Sequence, residues 1–522
     1  MYSIYTLLSW RLAVHRKFRE EERTQNYFLF ALPLPFAKKK FVYFSFRRKQ
    51  RSETKFALLL GESGQRKCRA KGRGIIALSN FVNLRETRRL AERGVRLELI
   101  LENIRSFVGR HEIPIKPLTF LIGENSAGKT TLLAAYNAAL FPEGFPGRPP
   151  FNQPPYSMGN YRTLATRNDE TDKSAEFISL GYDYREAKED APISLTARYV
   201  DANSNVQIRQ ITARSHHRIG EILLTPTPDG IYVELKFTQD DSKVQEMGYP
   251  LSEKFLMDTM PSGLRGIFTT IFSFLWKDEI RSTVPLVDGI MLLLLQFIKG
   301  KETTLPFSIA PMRSPPQRTY NGLDLQNSST GDGFAFDLIE LLKSETQMKR
   351  LQTFGKDAGL FDRVGVEAQR LGDNALAEVR ITHGGVTANL TDVGYGVSQA
   401  LPLVVSCLTV PKESPILIQQ PEVHLHPRAQ AALGTFFVEM VQEEGKQFLI
   451  ETHSDYILDR VRIEVAQGKI PAEDVLFLFL EKRDNRTTVY PMPLDENGNL
   501  LDAPPSYGDF FLQEQMRLLQ RA

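Results

Sequence analysis

The sequence predicts an α/β protein with a mixed sheet, and three observations carry this prediction. Residues 117–140 read as an apolar strand, a glycine-bounded loop and a helix rich in Ala and Leu. Towards the end of the chain, apolar strands at 414–419, 447–454 and 475–482 alternate with helices. Between these regions, residues 175–237 form short apolar segments separated by turn residues, as in an antiparallel sheet. Alternating strands and helices imply a mostly parallel sheet with helices packed on it.

Length and composition are those of an ordinary globular protein. The 522 residues are 42% hydrophobic and 24% charged, enough for about two to four domains with a sizeable core. The two cysteines, Cys68 and Cys407, are too far apart to indicate a disulfide scaffold or a zinc ribbon, and their use fits a reducing cytoplasm. The longest apolar run, 287–298, is too short to cross a bilayer and predicts a buried helix. We therefore expect a cytoplasmic protein without a membrane partner.

The first 95 residues differ from the rest in charge. Residues 1–95 hold 22 Lys or Arg against 7 Asp or Glu, a net charge of +15, so the whole-chain value of +3 leaves about −12 for the remainder. No sustained strand or helix periodicity is visible there. Three interpretations of this basic stretch remain open: a nucleic-acid-binding arm, a targeting segment, or a true start of the protein close to residues 94–104. The acidic body argues against broad, non-specific DNA binding by that part.

Other elements follow from local patterns. The remaining predictions are a strand at 96–107, helical segments at 245–300 and 335–372 around a Pro-rich connection at 309–320, and a hairpin at 376–391. The hairpin is expected to turn at Gly384 and Gly385.

The segment GENSAGKT, residues 123–130, matches the phosphate-loop pattern in full and lies between a strand and a helix. Gly123 and Gly128 allow the loop to wrap closely around phosphate with its N–H groups pointing inward. The helix N-terminus adds partial positive charge. Lys129 is expected to reach the β- and γ-phosphates, and the Thr130 hydroxyl to bind Mg²⁺. ATP and Mg²⁺ are therefore the expected cofactors.

Two further segments stand near predicted element ends. GYGVSQ, at 394–399, precedes an apolar helix, where Gly396 leaves room for close approach and Ser398 offers a hydroxyl. Alone, this segment is also compatible with an ordinary capped helix. The strand at 414–419 runs into a Gln-Gln-Pro-Glu turn, and the strand at 447–454 ends in ETHS.

In this order, the phosphate loop, the GxSQ turn, the strand with PEVHLHP and the strand with THSD resemble the ABC-class AAA ATPases that include SMC, RecF and OLD-type proteins. The resemblance is closest to the stand-alone OLD-like branch of bacterial anti-phage systems and covers about residues 96–515. It implies an α/β P-loop NTPase head of the ABC type with a mixed sheet, an antiparallel β subdomain and a helical insertion. The implied domains are an N-terminal extension (1–95, disordered or ahead of the true start), two halves of the head (96–240 and 376–522) and a helical insertion or lid (241–375).

In that family two heads sandwich two nucleotides, so the resemblance implies a homodimer or a higher homo-oligomer. The residues that it places on ATP within one subunit are Gly123, Asn125, Ser126, Gly128, Lys129, Thr130 and Thr131. Gly396 and Ser398 are implied to touch the γ-phosphate from the other subunit. His453 is the implied switch histidine that senses this phosphate, and Pro427 and Arg428 begin the segment at the dimer seam.

The strand tip departs from the wider family. Its usual acidic pair, one acid for Mg²⁺ and one general base for water, falls on Gln419 and Gln420. Glutamine can hydrogen-bond water but cannot take its proton, and loss of a general base costs about 10²–10⁴ in rate. Glu422 is the nearest carboxylate in sequence, with either a catalytic role or a role in supporting the turn. We therefore predict slow hydrolysis, with catalytic roles for Gln419, Gln420, Glu422 and His453 and metal contacts from Thr130 and Gln419.

Three pairs of residues keep alternative roles. His424 and His426 alternate near Glu422, but without further ligands at metal spacing we favour a structural role. Arg313 and Arg318 either bind phosphate or a partner, or anchor the Pro-rich connection. Asn103 and Arg105 follow the first strand, where relatives carry a similar stretch beside nucleotide or DNA.

No second catalytic centre is evident, because the last part of the chain lacks an acidic cluster of the kind that metal-dependent nucleases use. The first hypothesis is an ATP-gated regulator of a separate nuclease or toxic effector, encoded nearby, in anti-phage defence. The second is a RecF-like DNA-repair ATPase that clamps DNA, which leaves nucleic acid open as a partner. The third is a scaffold that binds ATP without hydrolysis. The defence context comes from the resemblance alone.

Overall fold

The structure is a computed structural model. The chain divides into two units, Met1–Val82 and Asn83–Ala522. The described residues are 27–33, 40–49, 53–62 and 96–517, except 142–143, 148, 168–170, 186–192, 216–217, 228–229, 240–244, 253–304, 322–328, 332, 372–373, 413 and 509–515. Most of the helical segment predicted at 245–300, with the apolar run 287–298, lies outside the described residues. None of the described helices is long and apolar enough to span a membrane.

The first unit contains a three-stranded antiparallel sheet in the order β1-β2-β3. Its strands are β1 (Tyr27–Pro33), β2 (Lys40–Lys49) and β3 (Glu53–Glu62). The sequence predicted no regular element here, and for these three segments that prediction was wrong. Aromatic and β-branched residues such as Val42, Tyr43 and Phe44 favour strands, but the flanking runs of basic residues hide the alternation.

An eight-stranded antiparallel sheet follows in the second unit, in the order β12-β11-β10-β9-β8-β7-β4-β5. Its strands are β4 (Arg96–Ile104), β5 (Phe107–Ile115), β7 (Ile178–Arg185), β8 (Ile193–Ala202), β9 (Asn205–Ser215), β10 (Arg218–Thr227), β11 (Gly230–Gln239) and β12 (Gln245–Ser252). The predicted antiparallel region is confirmed. The helix predicted from residue 245 was wrong at its start, because Gly248 and Pro250 disfavour a helix and the segment pairs with β11.

The central sheet has six strands in the order β13-β18-β19-β6-β20-β21 and is parallel except for β21. Its strands are β6 (Leu118–Gly123), β13 (Phe307–Ile309), β18 (Pro415–Gln419), β19 (Gln447–Glu451), β20 (Val475–Arg483) and β21 (Arg486–Pro493). Alternate residues enter two separate cores, one on each face. This confirms the predicted mixed sheet, and it brings the carboxyl ends of β6, β18 and β19 to one edge, where ligands bind in such folds.

Seven described helices accompany the sheets. They are α1 (Lys129–Leu140), α2 (Tyr161–Leu164), α3 (Phe334–Leu342), α4 (Glu345–Ala358), α5 (Tyr395–Thr409), α6 (Pro427–Glu444) and α7 (Asp455–Ala466), with short 3₁₀ turns at Leu390–Asp392 and Ala472–Asp474. A small antiparallel sheet joins β14 (Tyr320–Asn321), β15 (Arg363–Leu371), β16 (Asn374–His383) and β17 (Val386–Asn389).

The hairpin predicted at 376–391 is confirmed as β16 and β17, and it turns at Gly384 and Gly385 as expected. The helical prediction for 335–372 holds for α3 and α4 only. Gly359 takes a left-handed conformation and ends α4. The β-branched segment after it then pairs with β16 as β15.

Candidate functional site

The phosphate loop begins at the end of β6 and closes at the start of α1. Gly123 has φ +139°, and a Cβ there would lie 2.1 Å from the Leu480 carbonyl oxygen of β20. Gly128 has φ +104°, and a Cβ there would meet the Phe107 ring at 3.0 Å. The loop tip at 124–126 is exposed. Both glycines are therefore required by close packing behind a loop whose tip faces solvent.

Lys129 is folded over this loop. Its Nζ donates to the carbonyl oxygens of Gly123 and Glu124 at 2.8 and 2.7 Å, and the residue is only 3% exposed. Burial lowers the pKa of the Lys129 ammonium, whereas the nearby carboxylates of Glu451 and Glu422 oppose that shift. The ammonium thus stands within a cluster of carbonyl and carboxylate oxygens at the sheet edge.

A carboxylate from the neighbouring strand contacts the phosphate-loop threonine. The Thr130 hydroxyl donates to Glu451 Oε2 at 2.9 Å. Glu451 is the last residue of β19 and is 7% exposed. Burial raises the pKa of the Glu451 carboxyl, while the Thr130 hydrogen bond and the Lys129 charge lower it. From the sequence, Glu422 is the carboxylate nearest to the two glutamines. The structure places a further carboxylate, that of Glu451, in contact with the phosphate loop.

The two glutamines at the end of β18 lie beside Glu451. Gln419 is its register partner across β18 and β19, is 6% exposed, and its Nε2 has no hydrogen-bond partner among the described residues. Gln420 takes a left-handed conformation, φ +45°, and its N–H donates to the Glu451 carbonyl oxygen at 2.8 Å. A backbone hydrogen bond from Gln420 therefore joins the end of β18 to β19, in addition to the pairing of the two strands.

Glu422 supports the end of β19. Its two carboxylate oxygens accept from the Thr452 hydroxyl at 2.8 Å and from the His453 N–H at 2.7 Å. His453 is exposed. Burial lowers the pKa of its imidazole, Lys129 adds to that effect, and Glu422 opposes it. Because both Glu422 oxygens are engaged, the geometry favours the supporting role over a free general base.

The sequence suggested that the GYGVSQ segment precedes the helix. In the structure this segment forms the first turn of α5. The Ser398 hydroxyl donates to the Tyr395 carbonyl oxygen at 2.7 Å, and Ser398 is 2% exposed. A Cβ on Gly396 would lie 3.1 Å from the His424 carbonyl oxygen. No hydrogen bond among the described residues links Gly396 or Ser398 to the phosphate loop of the same chain.

Several weaker candidates have structural contacts. Arg318 forms a two-bond ion pair with Asp392 at 2.6 and 3.1 Å, as the anchoring alternative predicts. His426 caps α6, since its Nδ1 accepts from the Arg428 N–H at 3.3 Å. His424 packs edge-on against the Tyr395 ring. Over the described part of the chain, no group of three His, Cys, Asp or Glu side chains is placed to hold a metal ion.

The segment after β4 touches the phosphate-loop helix. Arg105 donates to the Thr131 hydroxyl at 3.5 Å and to the Met158 carbonyl oxygen at 3.2 Å. Asn103 Oδ1 accepts from the Gly109 N–H at 2.9 Å. Arg105 therefore lies beside the loop, whereas Asn103 holds the β4–β5 turn.

Arg313 and Lys446 are two buried cations near Cys407, and they differ in whether the charge has a partner. Lys446, which is fully buried, pairs with Glu444 at 2.8 Å and donates to the Cys407 carbonyl oxygen. Arg313 is 5% exposed, and none of its three guanidinium nitrogens has a hydrogen-bond partner within the described residues. Burial lowers the pKa of Arg313 to about 10, against the opposing effect of Glu422.

Substitution of these two cations by methionine is therefore expected to have opposite effects. Arg313→Met removes an unpaired buried charge and should raise the free energy of unfolding by about 1 kcal/mol or more. Lys446→Met removes one partner of the buried Glu444, which keeps Arg350 and Gln347, and should lower it by about 2 kcal/mol. Urea unfolding without nucleotide measures both. A loss of stability in Arg313→Met as large as that in Lys446→Met would contradict this account.

Sequence reasoning missed two residues that shape the loop. Glu451 was not predicted, because the resemblance places the acids on the preceding strand, although its position before THSD at a strand end is a local signal. The Thr487 hydroxyl of β21 donates to the Ala127 carbonyl oxygen at 2.9 Å and lies at hydrogen-bond distance, 2.7 Å, from the Ser106 hydroxyl. Nothing in the sequence around Thr487 indicates this contact, which depends on the pairing of β21 at the sheet edge.

Two segments of the chain match family models of AAA domains. One model, described as "AAA domain", matches residues 98–255, which contain the phosphate loop. The other, described as "AAA domain, putative AbiEii toxin, Type IV TA system", matches residues 314–459, which contain the α5 turn, the β18 tip and His453. Both halves of the site thus lie in AAA-type, nucleotide-binding sequence. No curated protein sequence matches the chain.

Solved structures that resemble the chain include SMC head domains. The Smc head domain with an extended coiled coil bound to the C-terminal domain of ScpA, from Pyrococcus furiosus, is 12% identical with a TM-score of 0.36, over 82% of this chain and 99% of that chain. The SmcHead bound to the C-winged helix domain of ScpA is 12% identical with a TM-score of 0.35, over 76% and 98%. The SMC head domain from Thermotoga maritima is 11% identical with a TM-score of 0.30, over 77% and 99%. At these scores the overlaps are loose.

Proposed function

We propose that the protein is an ATP-binding ATPase that hydrolyses ATP slowly, dimerises around the nucleotide and regulates a separate effector. The observation that carries the proposal is the phosphate loop with Lys129 and Thr130 at the carboxyl edge of a parallel sheet. The AAA-domain matches on both sides of the site support nucleotide as the ligand.

The residues at this edge fit a triphosphate with a divalent cation. The exposed loop and the α1 N-terminus suit phosphate oxygens, and Lys129 adds the only ammonium that contacts the loop among the described residues. The Thr130 hydroxyl, the Glu451 carboxylate and the Gln419 amide oxygen are oxygen donors of the kind that Mg²⁺ prefers. Bound Mg²⁺ would neutralise phosphate charge, and Lys129 would orient the β- and γ-phosphates.

Dimerisation through nucleotide rests on the α5 turn and His453. His453 is exposed beside the strand tip, where a phosphate can reach it. Gly396 and Ser398 belong to the first turn of α5, next to the same tip. Because the Ser398 hydroxyl bonds within its own helix, contact with a partner's γ-phosphate requires this side chain to rotate outwards.

Slow hydrolysis is expected because the described residues place no free carboxylate at the base position. Gln420 cannot take a proton from water, and both Glu422 oxygens are engaged by β19. Phosphoryl transfer depends mainly on positioning and charge, so turnover is reduced but not abolished. ATP then acts chiefly as the ligand that closes the dimer.

The proposed effector role lies in anti-phage defence. It is supported by the resemblance of the motif order and by the description of the matched model, which names a toxin of a toxin–antitoxin system. A neighbouring gene for a nuclease or another toxic protein is the expected genetic context.

Lys129→Ala is expected to weaken ATP binding at least about 100-fold, since a desolvated charge-assisted contact to phosphate contributes about 3 kcal/mol. Calorimetric titration with MgATP measures the affinity, and light scattering measures the mass with ATP and with ADP. Wild type should bind ATP and shift to a dimer, whereas Lys129→Ala should do neither. Lys482→Ala, an exposed lysine at the end of β20, is the control and should match wild type. Absence of ATP binding by wild type would refute the proposal.

A further inference from the structure

We propose that Glu451 is the carboxylate that completes the Mg²⁺ site with Thr130, so that the metal-holding acid has moved from β18 to the neighbouring strand β19. This inference rests on the proposed nucleotide site and names the residue that takes over from Gln419. It concerns the metal only, since the base position at Gln420 stays amide.

Glu451 lies nearer to the phosphate loop than Gln419 does. The sheet order places β19 directly beside β6, with Glu451 in register with Leu121, two residues before Gly123. Gln419 is one strand further away, in register with Glu451. Adjacent strands lie about 4.8 Å apart, so Glu451 is nearer to the loop by that distance, and it reaches the Thr130 hydroxyl at 2.9 Å.

A divalent cation beside phosphates is held by anionic or neutral oxygen donors, and an ionised carboxylate binds it more strongly than an amide oxygen. Gln419 offers only an amide, whose Nε2 is buried without a partner in the described structure. Glu451 offers a carboxylate in contact with the hydroxyl that the loop pattern assigns to the metal.

A buried carboxylate that accepts from one hydroxyl is expensive to desolvate unless a cation lies nearby. Lys129 gives part of that compensation, but its Nζ donates to the carbonyl oxygens of Gly123 and Glu124. A divalent cation bound by Glu451 and Thr130 would supply the rest of the charge compensation. A purely structural acid would not need to face the phosphate loop.

The test compares ATP affinity with Mg²⁺ and with EDTA, by calorimetric titration, in wild type and Glu451→Gln. Loss of a metal-holding group lowers metal affinity by about 10–100-fold, so the gain in ATP affinity produced by Mg²⁺ should fall at least about tenfold. In EDTA, Glu451→Gln should bind ATP as well as wild type or better, because a negative charge that repels the triphosphate is removed. A merely structural residue would not give this opposite change.

Glu464→Gln is the matched control. Glu464 is also a buried glutamate that accepts from a threonine hydroxyl, that of Thr435 at 2.7 Å, but it lies on α7. It should leave the Mg²⁺ effect unchanged. A double variant, Gln419→Glu with Glu451→Gln, returns the acid to β18 and should restore part of the effect, which keeps the test valid if the single variant folds poorly.

The outcomes separate this inference from the proposed function. If wild type binds no ATP, the proposed function fails. If wild type binds ATP and Glu451→Gln keeps the full Mg²⁺ effect, the proposed function stands and the assignment of Glu451 is overturned. Equal losses with Mg²⁺ and with EDTA would also overturn it, because they indicate a damaged loop and not a missing metal contact.

Discussion

Gly123→Ala is expected to abolish ATP binding and to destabilise the second unit of the chain. An alanine at φ +139° is strained, and its Cβ would lie 2.1 Å from the Leu480 carbonyl oxygen. That oxygen belongs to the β20 backbone, which is paired with β6 on one side and β21 on the other and cannot move aside. We expect a loss of roughly 3 kcal/mol or more in the free energy of unfolding. Urea unfolding and MgATP titration measure the two effects.

Gly468→Ala is the matched control for this prediction. Gly468 also has a positive φ, +69°, but a Cβ there would meet no atom within 4 Å. Only the backbone penalty of about 1 kcal/mol applies, and ATP affinity should not change. Equal losses of stability in the two variants would contradict this account. They would show that the close contact with the Leu480 carbonyl oxygen of β20 is not the reason for glycine at position 123.

The phosphate loop and the alternating elements around it were predictable because each depends on local sequence. The pattern from Gly123 to Thr130 specifies its own backbone geometry, and apolar runs such as those of β18 and β19 indicate buried parallel strands. The hairpin with its turn at Gly384 and Gly385 was predictable for the same reason.

The acid next to Thr130 was not predictable in this way. Whether residue 419 or residue 451 lies nearer to the loop depends on the order of strands, in which β19 comes between β18 and β6. Strand order and register are set by long-range pairing and not by local pattern. The sequence therefore identified the missing acids at Gln419 and Gln420 but not the carboxylate that stands beside them.

The same limit applies to partners of buried polar groups. Arg313 and Lys446 are both basic residues in mixed sequence, and only the fold shows that one is paired with Glu444 while the other is unpaired. Likewise, Glu422, in the turn after β18, contacts Thr452 and His453, which follow β19 and are 30 and 31 residues away in sequence. Those contacts favour the supporting role over the catalytic one, an alternative that sequence reasoning had left open.

Gln420→Glu is expected to speed ATP hydrolysis by at least about tenfold. A carboxylate at this position can take a proton from water, and a general base contributes about 10²–10⁴ in rate. The left-handed backbone at residue 420 and its bond to the Glu451 carbonyl oxygen hold the strand tip in place, so the new side chain starts from the same position. The full factor is not expected, because the neighbouring carboxylates of Glu422 and Glu451 add repulsion at the site.

Steady-state release of phosphate from MgATP by purified wild type, Gln420→Glu and Lys129→Ala tests the central claim most directly. The account predicts that wild type binds ATP but turns it over slowly, that Gln420→Glu is faster, and that Lys129→Ala is inert. Brisk turnover by wild type that Gln420→Glu leaves unchanged would contradict it, because a working base would then already be present at the site.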